Sequence, residues 1–220
     1  KNLGEMVIDG PVTVKKPEGS TDPSSLIDNG WVGSADKVAG ETVLAQADKA
    51  KLTIKSGDFT GEAGSKSCSV VKNDDYGVLV ITGGTFNSMN NRGTSNATTI
   101  LNWNVATISG GTFTTDVTDY LADENVKICK KQADGTYQVL TAAYAAAKII
   151  AADGTATRYD SLAGAVAALK DGDTLVMLDD IGTAAEPRAY GIVVTANNVT
   201  LNMNGKVLTV GYDAAAAAAE

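Results

Sequence analysis

Alternation of apolar and polar positions is clearest between Lys51 and Thr114. There, three pieces read alike: KLTIKSGDFT (51–60), VLVITGGTFN (78–87) and VATISGGTFT (105–114). Ile54, Ile81 and Ile108 lie 27 positions apart, and Phe59, Phe86 and Phe113 repeat the same step. A constant period of this size is the mark of stacked repeats that bury a continuous core only together. Side chains alternate across a strand. Leu52 and Ile54, Leu79 and Ile81, and Ala106 and Ile108 therefore share an inner face, while Thr53, Val80 and Thr107 share the outer one. A glycine corner follows in each repeat (Gly57, Gly83-Gly84, Gly110-Gly111), then a phenylalanine that turns back inward. Stacked strands lie about 4.8 Å apart, so the phenylalanines are expected to form one interior column.

The flanks extend this pattern less regularly. Val43-Leu44 and Val70-Val71 are 27 apart and predict a further inward strand, with Ile100-Leu101 as its equivalent in the third repeat. Met6-Val7-Ile8, Val12-Thr13-Val14, Leu26-Ile27 and Trp31-Val32 read as short strands between Gly and Pro turns. Ile27 precedes Ile54 by 27 and Gly30 mirrors Gly57, which predicts a degenerate earlier repeat with Trp31 in place of the phenylalanine.

Beyond Thr114 the period stops. Two alternating runs, 126–130 and 137–140, flank Asp134-Gly135 and predict a hairpin. Residues 147–150 and 155–159, around Asp153-Gly154, predict another. In 160–170, Leu162, Ala165, Val166 and Leu169 follow helical spacing, with Asp160 or Ser161 as N-cap and Gly172 as the C-terminal glycine. Strands are expected at 173–178, 192–194, 199–205 and 207–210. The expectation is an all-β chain: a right-handed parallel β-helix or solenoid with ~27-residue coils, a capping hairpin and one short capping α-helix. The first β-helix unit spans 1–141, with repeats over 43–114 and a closing cap over 115–141. A second unit begins over 142–213. The alanine-rich 214–220 is set apart from the fold.

Composition supports short strands: 23 Gly, 4 Pro, few aromatics and many Thr, Val and Asn. The net charge of −8 disfavours nucleic acid and anionic membrane as partners. No apolar run is long enough to span a bilayer, so no membrane insertion is expected. The sequence opens without Met or a signal-peptide pattern, and reads as a mature or excised piece. Cys68 and Cys129 match no metal spacing, and either one bridge or two buried thiols suits them.

The unit "x-[LV]-x-I-x-G-G-T-F", with the preceding strand Ile100-Leu101-Asn102-Trp103-Asn104, resembles repeats of secreted or wall-attached adhesin-like proteins of Gram-positive gut bacteria. Those have pectate-lyase-like β-helix folds. The segment from Tyr159 to Leu178, followed by Val199–Val210, resembles the start of such a β-helix, where an amphipathic helix plugs the end. The stretch from Asp116 to Val139 resembles a terminal cap. The resemblance implies an extracellular or cell-surface location and a structural or adhesive role.

Candidate chemistry is sparse. With no histidine there is no Ser-His-Asp or Cys-His arrangement. Gly83-Gly84 and Gly110-Gly111 are followed by neither a helix nor Lys-Ser/Thr, so they are not phosphate loops. A polysaccharide lyase or hydrolase would need clustered carboxylates. Asp74-Asp75 and Asp179-Asp180 are the candidates, but both fall at turns, where Asp is common for its local hydrogen bonds. Arg92, Arg158 and Arg188 stand in no strand register beside them. Asn73, Asn102, Asn104 and Asn204 are expected to ladder at corners. The weak ligand-binding candidates are the outward Thr85, Thr112 and Thr107, and the aromatics Tyr76 and Trp103, themselves 27 apart. On exposed corners those rings could stack on a sugar, whereas such rings more often cover a core edge. The leading expectation is a non-enzymatic module without cofactor or metal, with a host molecule or glycan as ligand and end-to-end self-association into a filament as a further option. A polysaccharide-active relative is the alternative.

Overall fold

The computed structural model describes residues 1–17, 20, 24–31, 50–61, 69–88, 98–182 and 191–211. The Val43-Leu44 pair, Val32, Cys68, Arg92, Arg188 and the alanine tail lie outside them. Over the described residues the protein is mostly β with one α-helix, and its strands form several parallel and mixed sheets. Contacts divide the chain into two compact units, 1–123 with 127–141, and 124–126 with 142–220.

In the first unit, β1 (Glu5–Ile8), β4 (Ala50–Ile54), β7 (Gly77–Ile81) and β10 (Val105–Ile108) form one parallel sheet. A second parallel sheet holds β3 (Ile27–Asn29), β6 (Val71–Asn73) and β9 (Ile100–Asn102). In the third, β2 (Thr13–Lys15), β5 (Asp58–Thr60), β8 (Thr85–Asn87) and β11 (Gly111–Phe113) run parallel. The chain visits these sheets in the same order each time. Leu52 pairs with Leu79, and Ile54 with Ile81 and Ile81 with Ile108, in register. All five are fully buried. Phe59, Phe86 and Phe113 stack with ring centroids 5.0 and 4.9 Å apart and planes within 12° and 4°. The expected interior column is therefore present.

Two expectations about strand register in the first unit need correction. Ile27 is not the forerunner of Ile54. It pairs with Val71, while Ile8 pairs with Ile54 and Val14 with Phe59. The earliest turn of chain is thus much longer than 27 residues, and the match of Ile27 to Ile54 is coincidental. The equivalent of Val71 is Ile100 rather than Leu101, so that pairing is shifted by one. Backbone hydrogen bonds set the register at each strand, and corners of unequal length absorb the difference.

The corner glycines have two separate causes. Gly84 and Gly111 adopt φ of +106° and +112°, a region that L side chains rarely enter. The glycines before them lack positive φ but sit against backbone: a Cβ on Gly83 or Gly110 would lie 2.4 or 2.3 Å from the carbonyl oxygen of Lys55 or Thr82.

The corner after β3, β6 and β9 is held by a column of asparagines. The side-chain amides of Asn2, Asn29 and Asn73 each donate 2.7 Å to the side-chain oxygen of the next, Asn29, Asn73 and Asn102. Their remaining N–H groups reach Lys51 O, Val78 O and Val105 O, at the start of the strands of the neighbouring sheet. Asn73 and Asn102 were legible as ladder members. Asn104 and Asn204 do not join it, donating instead to Gly77 O and Met177 O.

β12 (Lys127–Lys131) and β13 (Tyr137–Thr141) form the expected hairpin, and β13 pairs antiparallel with β11, which ends the parallel run. In the second unit, β14 (Ala147–Ile150) lies between β15 (Ala156–Tyr159) and β16 (Thr174–Met177), antiparallel to both, and β17 (Thr200–Asn202) pairs parallel with β16. The helix α1 is shorter than 160–170, spanning Leu162–Ala168. Ser161 Oγ accepts from Gly164 N at 3.2 Å, so Ser161 is the cap. Gly172 is not its C-terminal glycine. Leu169 turns extended first, and the Asp173 carboxylate accepts from Lys170 N, placing Gly172 in the next turn. Leu162 and Ala165 are buried against β14, β15 and β16. Residues 192–194 form no strand, and 207–210 reduces to isolated bridges, one joining Ile181 to Leu208. No helix among the described residues is long and apolar enough to cross a membrane.

Two substitutions test this packing. Phe86→Ala removes the central ring of the stack and should destabilise the fold by about 3–5 kcal/mol in urea unfolding. A cost below about 1 kcal/mol would mean that the column does not support the core. Asn73→Ala leaves the Asn29 amide and two carbonyls of the first unit without their partner, and should cost at least about 2 kcal/mol in the same assay.

Candidate functional site

The sequence candidates divide among three places on the first unit. Thr85 and Thr112 are register neighbours on β8 and β11, in a polar row that continues to Asp58 on one side and Gln138 on the other. Thr107 lies on a different sheet, beside Val80. Tyr76 and Trp103 lie at the corner outside the asparagine column. The five residues do not form one surface.

Tyr76 and Trp103 also differ from each other. Counted from the following strand, Val78 beside Val105, they match. Counted from the preceding strand, Asn73 beside Asn102, Trp103 matches Asp74 instead. The third corner is shorter, and the constant spacing of 27 conceals this. Tyr76 has one face covered by Trp31, whose ring lies parallel at 5.0 Å. Trp31 is fully buried, so this pair closes the core edge. Trp103 is 51% exposed, with the Lys72 ammonium 4.8 Å from its ring centre, a cation–π arrangement.

Beneath Lys72 is the chemistry that sequence reasoning assigned to a turn. Asp74 is completely buried. Lys72 Nζ lies 2.8 Å from its Oδ1 as an ion pair, yet neither carboxylate oxygen has a hydrogen bond of good geometry. Asp28, the register partner of Lys72, adds a second carboxylate, whose Oδ2 lies 3.9 Å from Lys1 Nζ. Burial pushes the Asp74 carboxyl above its ordinary range, and the Asp28 carboxylate pushes the same way, while Lys72 opposes both. Asp75, next in the chain, is exposed. The pair Asp74-Asp75 is therefore one buried acid and one surface acid. No local signal separates the two acids, because the neighbours of Asp74, Asp28 and the Lys72 ammonium, are brought together by strand pairing.

Asp179 and Asp180 belong to the second unit. Asp179 accepts from Tyr144 Oη at 2.7 Å, and Asp180 accepts from Val207 N at 2.7 Å. Among the described residues, no group of three or more Asp, Glu, Cys or His is placed to hold a metal ion. Cys129 carries a free, half-buried thiol that burial pushes above its usual range.

Comparisons with models of known protein families, with curated proteins and with solved structures found no match to this chain.

The Asp74 carboxyl gives a pH prediction. Its pKa is higher folded than unfolded, so its contribution is fully present below the unfolded value and is lost as pH rises through the folded one. Asp74→Asn keeps the shape and stays neutral at every pH. Relative to the native protein, the variant should gain stability between pH 3.5 and pH 7.5 in urea unfolding. A relative loss over that interval would show that the ionised Asp74–Lys72 pair is the stabilising form.

Proposed function

We propose that the chain is a non-enzymatic structural and adhesive module of an extracellular bacterial surface protein, and that its first unit is a right-handed parallel β-helix. The observation that carries this reading is the repeated order of the three parallel sheets around one in-register interior of leucine, isoleucine and phenylalanine. Parallel strands in one sheet joined by crossovers are right-handed in nearly all proteins, and a chain that revisits three sheets in constant order stacks into such a solenoid. Ordered side chains of this kind supply stiffness. They also confine chemistry to the outside, where Thr85, Thr112, Thr107 and Trp103 lie. The extracellular and surface assignment is supported by the likeness of the Gly-Gly-Thr-Phe units to those of wall-attached adhesin-like proteins.

Antibodies raised to the chain should label intact producing cells. Labelling only after lysis overturns the surface assignment. Negative-stain images and sedimentation of the purified protein test the self-association arm, with concentration-dependent filaments expected if coil edges pair between copies. A strictly monomeric species removes that arm and leaves the module reading.

A further inference from the structure

Two sheet edges of this chain carry matching halves of one hydrogen-bond pattern. At the first, β1 and β2 are edge strands, and Asn2 extends the sheet of β3 through a single parallel bridge to Asn29. Asn2 is only 8% exposed and begins the asparagine column. Its Oδ1 accepts from Gly4 N at 3.2 Å and has no further donor among the described residues. Asn102 shows that such an oxygen takes two. Its Oδ1 accepts from Asn104 N at 3.4 Å and from the Asn73 amide at 2.7 Å. Asn2 therefore has the local bond and lacks the ladder bond.

The second edge lies in the second unit. Leu201-Asn202-Met203-Asn204 repeats the pattern of Leu101-Asn102-Trp103-Asn104 in sequence and in geometry. Asn204 N donates to Asn202 Oδ1 at 2.9 Å, as Asn104 N does to Asn102 Oδ1. The Asn204 amide reaches Met177 O and the Asn104 amide reaches Gly77 O, each 27 residues back. β17 and residues 207–210 thus correspond to β9 and β10. The two corners differ on their outer side. Past Asn102 the first unit is closed by its hairpin, with β13 on β11, and Asn102 Nδ2 is spent on Asn104 O. β17 instead is a sheet edge, and the exposed Asn202 has no acceptor for its Nδ2 among the described residues. Leu201, Val207 and Val210 beside it are exposed as well.

Direction and charge select the occupant. Each asparagine of the column donates to the one that follows it in the chain. Asn202 therefore offers the donor and Asn2 the acceptor, and each edge is complementary to the other rather than to itself. β16–β17 and β1–β4 are both parallel pairs, so β17 can lie beside Asn2, and 207–210 beside β1, with no reversal of strand sense. That register brings Lys206 to the corner where Glu5 opens β1, and neither is in an ion pair among the described residues. We propose that the second unit of one copy stacks through β17 on the Asn2–β1 edge of the first unit of the next copy, with Asn202 Nδ2 donating to Asn2 Oδ1. Unlike patches meet in this contact, so it propagates head to tail. The contact rests on the β-helix reading above and names the partner edges of its self-association. It can fail alone, since surface labelling of cells does not depend on it.

The test uses the full chain with both native thiols replaced, as Cys68→Ser and Cys129→Ala. Lys1→Cys and Leu201→Cys are made separately in that background. The proposed register sets positions 1 and 201 side by side at about 4.8 Å, within the span of a disulfide. Oxidised together with diamide, the two proteins should form a mixed dimer at least about tenfold faster than either does alone, because stacking raises the local thiol concentration. Leu201→Cys with Ala133→Cys, on an exposed turn of the hairpin, should show no such gain. Asn202→Asp keeps the acceptor for Asn204 N and removes the donor. It should weaken association of the otherwise native chain about tenfold in sedimentation, with Tm unchanged, while Trp103→Ala leaves association as it was. A strictly monomeric chain, mixed dimers no faster than the controls, Leu201→Cys joining itself as fast as it joins Lys1→Cys, or undiminished association of Asn202→Asp would each overturn the proposal.

Discussion

At the corner beyond β3, β6 and β9, an asparagine amide has four hydrogen-bonding sites and no water to fill them. Each of Asn2, Asn29 and Asn73 solves this by donating to the next asparagine and to a carbonyl at the start of the adjoining sheet's strand. A buried polar group left unpaired costs about 1–3 kcal/mol, so each member makes the next one necessary. The column also controls what may stand beside it. A Cβ on Gly77 would lie 2.2 Å from Asn73 Oδ1, which restricts that position to glycine. Two sheets are joined at a set angle and register, and the stacked phenylalanines then meet ring to ring. The asparagine column ends the strands of one sheet, and the phenylalanine column stands on β5, β8 and β11 of another, stacked in the same register.

The chemistry at the corner after β6 lies beside that constraint. Asp74 N donates to Asn29 O at 2.8 Å, and the Asp74 side chain is buried with Lys72 as its charged neighbour. A buried ion pair is weak evidence of stabilisation, because desolvating two charges opposes their attraction. The direction of the Asp74 shift says that desolvation prevails here. Trp103 then covers Lys72 from outside. Aromatic rings at this corner serve first to exclude water, and only the exposed indole has a face to spare. The second unit is built differently, its described helix packing against antiparallel strands.

Much of this was legible beforehand. Inner and outer faces of β4, β7 and β10, the phenylalanine column, both hairpins and a helix cap at Asp160 or Ser161 follow from alternation, period and turn chemistry, which are local properties. The errors arise where spacing was taken for register. Ile27 and Ile54 share a spacing with the true repeat but not a sheet, and Tyr76 and Trp103 share one while their corners differ in length. Residues 192–194 have the composition of a strand but form none. The asparagine column was half visible. Its signal, an apolar residue, any residue and then Asn, occurs in Ile27-Asp28-Asn29, Val71-Lys72-Asn73 and Ile100-Leu101-Asn102, but Asn2 and Asn29 belong to turns of different length.

By itself, the sequence determined which side chains face inward and where the chain must turn, because strand alternation and glycine stereochemistry act over a few residues. Only the tertiary structure decided which strands are neighbours, that Asp74 is buried while Asp75 is not, and that Asn2 and Asn29 stand in one column with Asn73. Those outcomes depend on backbone hydrogen bonds between segments far apart in the chain, and on the exclusion of water that follows when those segments meet.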